Sequence, residues 1–78
     1  MLTFTDYALF QMAVRGIERD DVELVRADPE CEGPSREPPY RQLYSRHIEG
    51  RRLLVVVESD DHDCVVNAFW PPPRRRRL

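Results

Sequence analysis

The side chains best equipped for chemistry are crowded into one stretch, YSRHIEGRRLLVVV, residues 44 to 57. Arg46, Arg51 and Arg52 gather with the imidazole of His47 around the Glu49-Gly50 pair, and Tyr44 stands just upstream. Guanidinium groups hold anions through a planar fork of donors, and imidazole is the side chain that exchanges a proton near neutrality. The cluster therefore has the parts to grip an anion and move a proton beside it. A charged hairpin tip also has a plainer use, keeping an exposed strand end from pairing with other chains. A second group, Asp60, Asp61, His62, Asp63 and Cys64, offers metal-ligand chemistry. Five consecutive residues of a hairpin loop do not all converge on one ion, so no metal site is expected. Arg74 to Arg77 attract any polyanion without reading its sequence. Every basic residue is an arginine, which leaves no lysine for catalysis.

The elements that position these groups have little material to work with. At 78 residues the chain is one small domain, near the size at which a single core only just offsets chain entropy. A hydrophobic content of 41% makes it globular despite its many charges. No apolar run approaches the roughly 18 residues of a membrane span. The first residues lack the basic start and apolar stretch of a signal peptide, so a cytoplasmic location is expected. Cys31 and Cys64, with no CxxC spacing, read as reduced thiols. The net charge of -2 conceals an asymmetry. Residues 1 to 34 hold three Arg against eight acids, a balance of -5, and residues 35 to 78 hold nine Arg against six acids, a balance of +3.

Met1 to Phe4 is a short candidate strand. Thr5 or Asp6 caps a first helix whose apolar stripe, Leu9, Met12, Ala13 and Gly16, has helical spacing, and Gly16 suits the left-handed residue that ends it. A second helix begins between Ile17 and Asp20, with acids at the positive end of its dipole, and runs to about Asp28 before Pro29. The prolines of PECEGPSREPP predict a linker without regular structure. Three strands follow, about Tyr40 to Ile48, Arg52 to Glu58 and Cys64 to Trp70, as an antiparallel meander. Leu53 to Val57 is apolar on both faces, as a central strand covered by helices would be. Pro71 to Pro73 end the ladder, so residues 1 to 70 form the domain and 71 to 78 a Pro/Arg-rich tail. If Glu49-Gly50 is a two-residue turn, Ile48 opposes Arg51 and Arg46 opposes Leu53. Tyr44, Arg46, Ile48 and Arg51 then share one face, and His47 and Arg52 share the other. A longer loop moves this assignment by one residue. The ligand is expected on the face that carries Arg46 and Arg51.

FTDYALFQMAVRGIERDDVELVRADPE, followed by LYSRHIEGRRLLVVVE and VVNAF, resembles the small bacterial domains known as DUF4258, grouped with the RelE/ParE-like toxins of toxin-antitoxin modules. The resemblance spans about residues 3 to 70. It implies an α+β fold of two helices packed on a small twisted antiparallel sheet of three to four strands. It also implies an endoribonuclease that cleaves mRNA, including ribosome-bound mRNA, without a metal or other cofactor, and that is held by a cognate antitoxin protein. Under that resemblance Arg46 and Arg51 hold the phosphate and His47 or Tyr44 transfers protons. Arg41, Arg52, Arg74 and Arg75 would add contacts to RNA. Members often carry a histidine near the start of the first helix, where this chain has Tyr7, and many use basic residues and a tyrosine near the last strand, where it has Asn67, Phe69 and Trp70. Two alternatives stand beside the nuclease: a nucleic-acid-binding module without catalysis, and a ParE-like toxin acting through a protein target.

Overall fold

Two helices and five strands form between Thr3 and Phe69 in the computed structural model, which describes residues 1–72. After β1 (Thr3–Phe4), the Thr5 hydroxyl accepts the Ala8 backbone N–H and so caps α1 (Asp6–Arg15). Gly16, with φ of 67°, supplies the left-handed residue that closes the helix. The second helix, α2 (Arg19–Ala27), carries Asp20 and Asp21 in its first turn and Arg26 in its last, each sign matched to the helix dipole. Asp28 ends it without a glycine, its N–H bonded to the Leu24 carbonyl.

The proline-rich stretch is not wholly irregular, as its composition predicts. It contains β2 (Cys31–Pro34), antiparallel to β3 (Gln42–Ile48). The strand survives because it lies at the edge of the sheet and its proline is the last residue, where a missing N–H removes little from the ladder. The connection that follows winds around one hydroxyl: Ser35 Oγ donates toward the Glu37 and Pro39 carbonyls and accepts the Arg41 N–H. β3 then turns through Glu49 and Gly50, both at positive φ (51° and 81°), into β4 (Arg51–Val57). Positive φ at both central residues is what a tight two-residue hairpin requires. The last strand, β5 (Cys64–Phe69), completes an α+β fold with sheet order β1-β5-β4-β3-β2. Its β1–β5 pair is parallel and the other pairs are antiparallel, so the sheet is mixed and has one strand more than expected.

Both helices lie on one face of the sheet. Ala8 and Met12 of α1, Val22 and Val25 of α2, and Ile17 between them enclose a core with Tyr44, Leu53, Val55, Val57, Val65 and Ala68. Leu53, Val55 and Val57 alternate with the half-buried Arg52, Leu54 and Val56, which face the side without helices. The outward side of α1 leaves Tyr7, Phe10 and Val14 exposed. Among the described residues no helix is long and apolar enough to cross a membrane.

Candidate functional site

The hairpin register agrees with the sequence reading: Tyr44 pairs with Val55, Arg46 with Leu53, His47 with Arg52 and Ile48 with Arg51. Tyr44, Arg46, Ile48 and Arg51 therefore share a face, and it is the face under the helices. The expectation that this face receives a ligand has to be corrected. Tyr44 is 5% exposed and belongs to the core. Its hydroxyl meets His62 Nδ1 at 2.9 Å, and the Arg26 guanidinium lies 4.6 Å above its ring. Arg46 turns toward the end of α2, where Nη1 donates to the Asp28 carbonyl at 3.0 Å and to its carboxylate at 3.1 Å. Both side chains hold helix to sheet, because long amphipathic groups at a packed rim bury their stems and satisfy their polar ends locally.

The other members of the cluster do come together. Arg51 stands at the hairpin tip beyond the helices, and its side chain reaches across to Trp70, with the guanidinium 4.4 Å from the ring centroid. Trp70 follows β5 directly and is fixed by its indole N–H, which donates to the Arg15 carbonyl at the end of α1 at 3.1 Å. His47 and Arg52, neighbours across the ladder, approach from the uncovered face. A cleft of about 510 Å³ results, lined by His47, Gly50, Arg51, Arg52, Trp70 and Pro71, with Pro72 at its end.

Within it His47 has a defined orientation. One oxygen of Glu30, from the turn before β2, accepts the His47 backbone N–H at 2.7 Å and meets its Nδ1 at 2.9 Å. The side-chain hydrogen bond from His47, followed by the backbone one, holds the Glu30 carboxyl below its ordinary value. A carboxylate only accepts, so Nδ1 carries the proton and Nε2 is left for a ligand. Arg52 Nη2 is 3.4 Å from the Ser45 hydroxyl, and Arg51 has no hydrogen bond or ion pair among the described residues. The cleft thus joins two guanidiniums, one oriented imidazole and an aromatic wall. Guanidiniums are the groups that hold anions such as phosphates, and an aromatic face is the kind of surface on which a flat ring stacks.

Arg41 lies on the uncovered face at the opposite end of the sheet, paired with Glu58 at 3.3 Å, so it does not join this cleft. Arg74 and Arg75 lie outside the described residues. Two contributors were missed in the sequence reading. Trp70 entered that reading just as the end of the last strand, although its ring stands beside the Arg51 guanidinium. Glu30 was hidden in the stretch read as linker, and its distance in sequence from His47 gave no signal.

At the far edge of the sheet β1 ends early and side chains take over. Arg15 Nη1 donates to the Ala68 carbonyl at 2.7 Å and to Asn67 Oδ1 at 3.0 Å, while Asn67 Oδ1 also accepts the Ala68 N–H at 2.9 Å. The outward backbone groups of Ala68 are thereby satisfied without another strand.

Comparison with protein-family models, with curated proteins and with solved structures gives no match, so the family resemblance rests on the residues quoted for it alone.

Proposed function

We propose that the protein binds single-stranded RNA at the hairpin end and cleaves it without a metal, as the toxin of a toxin-antitoxin pair. The observation that carries this reading is the convergence of His47, Arg51, Arg52 and Trp70 on one cleft. His47 Nε2 takes the proton of a ribose 2′-hydroxyl as that oxygen attacks the adjacent phosphorus. Arg51 and Arg52 hold the charge that builds on the phosphoryl oxygens. The bond from phosphorus to the 5′-oxygen breaks, that oxygen takes a proton from water, and the products are a 2′,3′-cyclic phosphate and a 5′-hydroxyl. Trp70 holds a neighbouring base by stacking, which tolerates any base because each has a π-face. Acids stand close by, since Asp21 of α2 shares a hollow with Glu49, Arg51 and Trp70, so the attraction for a polyanion rests on Arg51 and Arg52 themselves. An antitoxin segment would neutralise the protein by covering the same cleft.

One observation favours a second reading. With Tyr44 in the core, the cleft's described lining offers His47 for proton transfer and no second group to act as the acid for the leaving oxygen. A module that binds RNA without cutting it needs no such acid. Incubating end-labelled RNA with the purified protein in EDTA separates the two. The nuclease yields fragments ending in 2′,3′-cyclic phosphate; His47→Ala abolishes them and keeps binding, and Tyr44→Phe retains both. Binding with intact RNA throughout would leave only the module.

A further inference from the structure

Beside the hairpin cleft is a second hollow of about 370 Å³, lined by Arg15, Arg51, Phe69 and Trp70. We propose that it is a second nucleotide subsite, so that the protein grips an extended single strand across two stacking positions on opposite sides of the sheet, too far apart for two successive bases to fill both; this rests on the RNA-binding reading above. Phe69 and Trp70 are consecutive, and strand alternation sends their rings to opposite sides of the sheet. Ala68 faces the core, so Phe69 lies on the uncovered face opposite Leu54, while Trp70 reaches the helix end. Each ring carries its own arginine. Arg51 lies 4.4 Å from the Trp70 centroid and Arg15 lies 5.8 Å from that of Phe69.

The pairing of ring and guanidinium fits one ligand class. A nucleotide presents a flat base and an anionic phosphate, and an arginine held against a ring offers its outward N–H fork to the phosphate while the ring's free area meets the base. Arg15 spends only Nη1 on Ala68 and Asn67, which leaves Nη2 and Nε without partners among the described residues. Its backbone hydrogen bond to Ala68 fixes the guanidinium at the sheet edge before any ligand arrives, so little ordering remains to be done on binding. Arg51 lines both hollows, which makes them contiguous. The path runs from His47 and Arg52, past Arg51 and Trp70, to Arg15 and Phe69. A mononucleotide fills only part of it; a strand of several residues fills it all.

The test uses 2′-O-methyl oligouridylates of two and four residues, which resist attack by the 2′-oxygen, with fluorescence anisotropy to measure affinity. In the unmodified protein the four-residue strand binds more tightly than the two-residue one. Phe69→Leu keeps an apolar side chain but removes the stacking face. It weakens the four-residue strand on the order of tenfold, as expected for one stacked base, and leaves the two-residue strand unchanged. Phe69→Tyr restores the longer strand. Equal losses on both lengths, or none on either, overturn the second subsite while RNA binding stands. Failure of the unmodified protein to bind either strand overturns the RNA reading and the subsite with it. A photo-crosslink needs no variant: a four-residue strand carrying 4-thiouridine at each position should mark both Phe69 and Trp70. Marking of Trp70 alone overturns the proposal.

Discussion

Arg46 and Arg51 have the same chemistry and adjacent positions on one face of the hairpin, yet the structure assigns them opposite consequences when replaced. Arg46 is 29% exposed and gives Nη1 to the carbonyl and carboxylate of Asp28. Asp28 is itself 72% exposed, so the ion pair contributes at most about 1 kcal/mol. The bond to the carbonyl adds roughly 0.5–1.5 kcal/mol. Arg46 Nε, buried without a partner, takes part of that back. Arg46→Ala should therefore cost on the order of 1 kcal/mol, which in a domain of this size lowers the melting temperature by about 4–8 °C. RNA affinity and its dependence on salt should hardly change. Arg51→Ala loses a cation–π contact worth roughly 0.5–1 kcal/mol at an exposed site. It also loses a phosphate contact, so the slope of log affinity against log salt should fall by about 0.7 for a single strand. Thermal melting followed by circular dichroism and anisotropy titrations at several salt concentrations measure both variants. In a double-mutant cycle with Asp28→Ala, the Arg46 coupling should appear in stability alone. The reasoning fails if Arg46→Ala lowers the salt slope as much as Arg51→Ala does and leaves the melting temperature where it was.

Two further outcomes follow from the same geometry. The Glu30 carboxyl is held below its ordinary value chiefly by the hydrogen bond from His47, so its contribution to stability is present above the unfolded carboxyl's pKa and is lost as pH falls through the lower folded one. Melting temperatures of Glu30→Gln and the unmodified protein should thus differ near neutrality and converge in acid; a constant gap across that range contradicts the pairing. Leu53 is fully buried at the centre of the sheet, and Leu53→Ala should cost about 2–5 kcal/mol, much of what a small domain has, as read by urea denaturation.

The sequence made the hairpin legible because a single local feature determines it. A two-residue turn at Glu49-Gly50 leaves one register, and that register is the one observed. The helix ends were readable for the same reason: Thr5 and Gly16 act on neighbouring backbone groups. Which face of the sheet the helices cover was not readable, because Leu53 to Val57 is apolar on both sides and carries no sign of direction. The ligand was therefore assigned to the side that turned out to be covered, and Tyr44 and Arg46 went with it. The strand at Cys31–Pro34 escaped for a different reason: proline argues against central strands only, and position within a sheet is a tertiary property. Glu30 met His47 through that same unseen strand.

The side-chain cap on Ala68 has a consequence for how copies of this protein can associate. Unlimited growth by strand pairing needs a donor edge and an acceptor edge on every molecule. With one margin formed by the two-residue β1 and then by Arg15 and Asn67, the longer open edge among the described residues is β2, with four residues. Two molecules joined through it present just the two-residue β1 at each outer margin. Assembly by that route stops at a pair, and a fibril would first have to pull the Arg15 guanidinium away from the sheet.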